Sequence, residues 1–144
     1  MKASAMRLDP ASYPRHKSVP IRFSDIDMFK HLNNVASGQF YEEGRYELLA
    51  DARAHLDKAS RGSLVIANVN MSFLRPARYP GLIDVGTGIV KVGGQSLVIG
   101  QALFVEGMCI GIADSVVVSV DANGSASLPA AVASFCAPLM LPAE

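Results

Sequence analysis

Apolar positions recur with a period near 3.6 residues in the first half of the chain and near 2 in the second. From Val35 to about Leu56 no proline interrupts, and helix formers dominate QFYEEGRYELLADARAHL. Tyr41, Gly44, Leu48, Ala52 and His55 fall near one stripe, flanked by Phe40, Leu49 and Leu56, the spacing of an amphipathic helix. At 1.5 Å per residue this helix is on the order of 30 Å long. Asn33 or Asn34 is placed to cap it, because a side-chain amide oxygen accepts from the free N–H groups of the first turn. Gly38 and Gly44 weaken it, a cost that makes sense where another backbone must approach closely.

Lys58 to Ser63 reads as a loop, and the period then shortens. Val65, Ala67, Val69, Met71 and Phe73 alternate with Asn68, Asn70 and Ser72, predicting a strand with one apolar and one polar face. Leu82–Val92, Ser96–Glu106 and Cys109–Val120 read as three more strands, separated by Gly93-Gly94 and by Gly107. Connections this short join antiparallel neighbours. A short strand is expected at Val19–Phe23, with Pro20 confining it to an edge or a strand start. Residues 1–18 read as a loosely held arm, residues 19–144 as one domain, and a short helix is expected near Pro129–Phe135. The order is β, long helix, then an antiparallel meander. A sheet with one apolar face must cover it, and the only long element available is the helix. The fold class is therefore α+β, a curved sheet wrapped around one helix. Small residues on the sheet's other face (Gly86, Gly88, Gly100, Ala102) leave room for a partner subunit.

Composition narrows the function. The chain has 144 residues, with 13 Lys+Arg against 13 Asp+Glu, so it carries no electrostatic footprint for nucleic acid or an anionic membrane. No apolar run approaches the roughly 20 residues that cross a bilayer, and the N-terminus lacks the apolar core of a signal peptide. Cys109 and Cys136 form no CxxC and fit a reducing cytoplasm. There is no GxSxG and no Walker A loop, and His16, His31 and His55 have no metal-ligand spacing.

The chemistry concentrates in Asp25–Asn34, where Asp25, Asp27, His31, Asn33 and Asn34 immediately precede the long helix. A helix N-terminus offers free N–H groups and about half a positive charge, which suits a developing oxyanion. A carboxylate within reach acts as nucleophile or as general base toward water. Together these parts suffice to hydrolyse a thioester, whose thiolate leaves with little acid assistance. The competing reading makes Asp25, Asp27 and Asn33 turn and cap residues only.

The segment FSDIDMFKHLNNVASGQFYEEGRYELL resembles the first motif of the hot-dog-fold acyl-CoA thioesterases of the 4-hydroxybenzoyl-CoA thioesterase type. That motif runs D-x-D-x-x-G-H-x-N-N, then an aromatic residue, E-E-A-R and leucines. VNMSFLRPARYPGLIDVGTGIVKVGGQSLVIGQALF resembles the family's following strand, L-R-P-A-x-x-G-D turn and hairpin, so that the likeness covers about residues 19–120. It implies Asp27 as the catalytic carboxylate, His31 beside it, and oxyanion donors near Asn34 or Val35. Asp25 is expected to fix the loop by accepting backbone N–H bonds. It further implies substrate binding by Asn33, Val35, Gly94, Ser96 and Arg75, with Arg78 a second arginine for phosphate. The substrate implied is acyl-CoA or an acyl-carrier-protein thioester, met by a homodimer or homotetramer. CoA would be part of the substrate, with no metal or redox cofactor. Two rival readings remain: a non-catalytic acyl-CoA binder, and an enoyl-CoA hydratase-type enzyme, whose flanking pattern is missing. Glu43 is a second candidate carboxylate, since one hot-dog branch uses a helix glutamate. Three departures stand out: Lys30 replaces the motif's glycine, Ser37-Gly38 a bulkier pair, and Gly44 the usual alanine.

Overall fold

The structure is a computed structural model, described over residues 3–59 and 62–143. Helix α1 (Asn34–Arg53) lies against an antiparallel sheet of β1 (Arg15–Pro20), β2 (Ser63–Phe73), β3 (Leu82–Val92), β4 (Ser96–Val105) and β5 (Met108–Asp121). These follow the order β1-β3-β4-β5-β2, and a two-residue β6 (Gly124–Ser125) pairs with β5. This is the expected hot-dog arrangement. Residues 60 and 61 of the loop expected at 58–63 lie outside the described residues, and Ser63 already begins β2.

Asn33 is the N-cap of α1, its side-chain oxygen accepting from Val35 N–H at 2.7 Å. The apolar stripe faces the sheet as its spacing requires: Tyr41, Leu48 and Ala52 are buried, whereas His55 lies past the helix end and is exposed. Around Tyr41 the core is filled by Phe40, Val85, Leu103 and Ala113; around Leu48 it is filled by Ile99, Leu97 and Val117. Helix α2 (Ala130–Cys136) closes the far end with Val132 and Cys136. Gly44 serves a side chain and not a second backbone, because a Cβ there would overlap Val85.

Four expectations are corrected. The first strand is Arg15–Pro20, not Val19–Phe23: Pro20 ends it, and Phe23 sits in a short 3-10 turn with 79% of its surface exposed. The boundary drawn at residue 18 therefore falls inside β1. The preceding residues are not loose. Arg7 donates to Asp114 at 2.7 Å and to the Tyr13 hydroxyl at 3.2 Å, and the Tyr13 ring packs edge-on to Phe104. Thirdly, the small residues on the outer sheet face are covered by the chain's own termini. A Cβ on Gly86 would meet the Tyr13 ring at 2.7 Å, and one on Gly88 would meet Leu141 at 2.5 Å. Finally, the apolar face of β2 is not fully buried. β2 is an outer strand, a bulge between Ile66 and Asn68 interrupts its alternation, and Val65, Ile66, Val69 and Phe73 remain exposed.

Candidate active site

The loop before α1 is a small hairpin closed by an Ile26–Leu32 bridge. Asp27 N–H donates to the His31 carbonyl at 2.9 Å, and Lys30 N–H donates to the Asp27 carbonyl at 3.0 Å. Lys30 has φ 63°, the left-handed position for which glycine is the usual residue. The motif's glycine thus had a backbone reason, and lysine meets it at a steric cost of about 1–2 kcal/mol.

Two carboxylates two positions apart receive opposite environments. Asp25 is buried, and its carboxylate accepts from Arg22 N–H at 2.7 Å and from the Arg22 guanidinium at 2.9 Å. Burial alone would push its pKa up, but the Arg22 side chain and N–H hold it below the ordinary carboxylate range. The Asp25 carbonyl also accepts from Asn33 N–H at 2.8 Å, tying the loop to the helix cap. Asp25 is thus the loop's anchor, as expected. Asp27 is half-buried, and its Oδ1 accepts from Phe29 N–H at 2.9 Å and His31 N–H at 3.4 Å. No described residue hydrogen-bonds its Oδ2.

Asp27 lines a cleft of about 280 Å³ together with His31, Asn34, Ser37 and Tyr41 from the helix side. Its opposite wall is Phe73, Leu74, Arg75, Pro76 and Ala77, with Leu103, Ile110 and Gly111 from the sheet. That wall is held by Leu74 and Arg75 N–H groups donating to the Ile110 carbonyl and by Leu32 N–H donating to Ala77. Asp27 and the opening turn of α1 therefore border one space. Of the two expected backbone donors, Val35 N–H is taken by the Asn33 cap. No described residue accepts from Asn34 N–H, and Asn34 lines the cleft. Asn33 contributes through this cap.

Other sequence-derived candidates lie elsewhere. Ser96 pairs with Val118, whereas the cleft residue Gly111 pairs with Leu103. At about 3.4 Å per residue along β5, the hairpin bearing Gly94 and Ser96 is roughly 24 Å from the cleft within one chain. Arg75 lies on the cleft wall and is exposed; Arg78 is exposed but does not line the cleft. Glu43 lines a different groove, where Lys17 pairs with it at 3.4 Å. Burial raises the thiol pKa of both Cys109 and Cys136, which disfavours their thiolate forms. Among the described residues no group of three or more His, Cys, Asp or Glu is placed to hold a metal ion. Sequence reasoning did not assign Tyr41, Phe73 or Gly111 to the site. For Tyr41 a signal existed: Asn34, Ser37 and Tyr41 follow i, i+3, i+7 spacing and share a helix face.

Residues 21–136 match the model of the thioesterase-like superfamily. The match is at superfamily level and does not single out the 4-hydroxybenzoyl-CoA branch. The chain is 23% identical over 103 residues to the long-chain acyl-CoA thioesterase FadM of Escherichia coli K12, covering 71% of this chain and 78% of FadM. Among solved structures it is similar to a thioesterase complexed with coenzyme A and Zn from Thermus thermophilus (TM-score 0.76, 26% identity, 87% of this chain and 98% of that one). A predicted thioesterase from Bacillus stearothermophilus superposes with TM-score 0.79 at 22% identity, over 90% of this chain and 98% of that one. With the motif, the fold and the family model in agreement over most of its length, the chain belongs to the thioesterase-like superfamily.

Proposed function

We propose that the protein hydrolyses acyl-CoA thioesters to the free acid and the CoA thiol in the cleft between Asp27 and the start of α1. One observation carries this reading: a carboxylate oxygen without a partner and the opening turn of a 20-residue helix border the same small cleft. In this reading the thioester carbonyl oxygen lies against Asn34 N–H, where the helix dipole stabilises the negative charge of the tetrahedral intermediate. Asp27 Oδ2 either attacks the carbonyl carbon, giving an anhydride that water then opens, or takes a proton from the attacking water. In both routes the C–S bond breaks and CoA leaves as the thiolate. His31 lines the same cleft and positions the acyl group. The route needs no metal or redox cofactor, and CoA enters as part of the substrate. FadM's activity and the CoA-bound relative support CoA as the carrier, with an acyl-carrier-protein thioester as the alternative.

The working unit in this reading is a homodimer. β2 has no described strand on its outer side, is 11 residues long, and exposes Val65, Ile66 and Val69, an edge that favours pairing with a second copy. Antiparallel pairing of two β2 edges sets the far end of one sheet beside the cleft end of the other. Gly94 and Ser96 would then approach the CoA arm from the partner subunit, with Arg75 at the cleft mouth for phosphate. A dimer of dimers would use the outer face beyond the termini, where Val98, Val116 and Val118 are half-buried. No described helix is long and apolar enough to cross a membrane. A cytoplasmic location is part of the same reading, and the two free cysteines support it.

A free-thiol assay across an acyl-CoA panel tests the proposal, and release of CoA with at least one acyl group is expected. Tight binding without turnover would make the protein a binder. Loss of the enoyl absorbance of crotonyl-CoA without thiol release would make it a hydratase.

A further inference from the structure

Tyr41 is 1% exposed, yet no described residue hydrogen-bonds its hydroxyl. The ring is buried, but the oxygen is not among the fully buried polar atoms that lack a partner, so it keeps contact with the space beside it. The hydroxyl end of the ring is located by Gly111: a Cβ built there would lie 2.9 Å from Tyr41 Oη, and both residues line the Asp27 cleft. The oxygen therefore sits at the cleft wall and not deep between helix and sheet. The backbone beneath it is fixed, because the Tyr41 carbonyl accepts from the buried Gln101 side chain at 2.9 Å. Burial raises the phenol pKa, so the group is a protonated donor at neutral pH. Leu103, Ile110 and Phe73 line the cleft near Gly111, and the Ser72 carbonyl oxygen lies 3.1 Å from where a Gly111 Cβ would sit.

We infer that Tyr41 is a specificity-determining residue whose hydroxyl hydrogen-bonds an oxygen carried on the acyl chain of the substrate, so that hydroxylated or keto acyl groups are preferred over plain hydrocarbon chains. The inference rests on the acyl-CoA reading of the cleft and names its substrate class. Position sets where that oxygen must lie. Tyr41 is two turns beyond Asn34, about 10 Å along the axis at 1.5 Å per residue. Helical side chains lean back toward the N-terminus, which shortens that span. The hydroxyl therefore meets the acyl group several bonds past the thioester carbonyl, clear of Asp27. Gly111 is the matching small residue on the sheet side, since a side chain there would press on the phenol oxygen.

Non-hydrolysable thioethers separate this inference from the catalytic one. Calorimetry on the intact protein would compare octyl-CoA thioether with its singly hydroxylated analogues. At least one hydroxylated analogue should bind the wild type about three- to ten-fold more tightly than the parent, the size of one net hydrogen bond. In Tyr41→Phe that gain should vanish while the parent's affinity stays within about two-fold and the melting temperature holds. Gly111→Ala, which crowds the same hydroxyl, should shrink the gain as well. The inference is overturned if no hydroxylated analogue gains affinity, or if the gain survives in Tyr41→Phe; binding of the parent alone would leave the acyl-CoA reading standing. If no thioether binds at all, both readings fall.

Discussion

Two hollows flank the first turns of α1, one of about 780 Å³ on the β1 side and one of about 280 Å³ on the Asp27 side. The larger holds more charge: Lys17, Arg22, Asp25, Glu42 and Glu43 all line it. Most of those charges answer one another, Arg22 to Asp25 at 2.9 Å and Lys17 to Glu43 at 3.4 Å. The smaller has one carboxylate, one imidazole, one guanidinium (Arg75), a helix start and a phenol, and the described partners of these groups are backbone groups or none. Size and charge alone would select the side opposite to the proposed site. The proposed site is set apart by its combination: a carboxylate oxygen with no described partner beside the opening turn of α1.

The largest expected effect breaks that contrast from the catalytic side. Asp27→Asn should lower kcat by at least about 100-fold with the fold intact, the scale of a lost acid–base or nucleophilic group. Glu43→Gln, in the larger groove, should change kcat by less than about three-fold, because exposed ion pairs contribute little. Equal losses in thiol release would erase the distinction between the two hollows.

A second effect belongs to stability. Asp25→Asn should destabilise the fold by about 2 kcal/mol, since a nearly fully buried acceptor loses its charge-assisted bonds. The Asp25 pKa is lowered in the fold, so its contribution is present above the ordinary carboxylate range and is lost as pH falls through the folded value. The melting-temperature gap between wild type and variant should therefore be widest near neutrality and close in acid. A gap that grew as the pH dropped would contradict the anchor role.

Smaller effects test the packing that sets the two sides apart. Gly44→Ala should cost about 1–3 kcal/mol, because the new methyl overlaps Val85 in a filled core. Lys30→Gly should be neutral or stabilising by up to about 1 kcal/mol, relieving a left-handed lysine. Denaturant midpoints would measure both, and a clear loss in Lys30→Gly would show that the lysine side chain matters more than its backbone.

Much of this was legible in the sequence because periodicity reports one-sided burial. The Tyr41–Leu48–Ala52 stripe gave the helix, and Gly93-Gly94 and Gly107 marked the turns between β3, β4 and β5. The first strand misled because its apolar-looking residues, Ile21 and Phe23, follow it. Arg15–Pro20 alternates only between half-buried and exposed, a weak signal at an outer strand. The packing of the termini was illegible, since it rests on Arg7 and Tyr13 meeting residues of β4 and β5 far away in sequence. Tyr41 was visible but read as core alone, because spacing reveals a buried face without showing which part of it borders a cleft.

The most direct test of the central claim is a crystal structure of Asp27→Asn with an intact acyl-CoA bound. The acyl group is expected in the smaller cleft, its carbonyl oxygen at about 3 Å from Asn34 N–H and its carbonyl carbon beside the position-27 side chain. An acyl group seated between Lys17, Arg22 and Glu43, or a carbonyl turned away from the helix start, would contradict that claim.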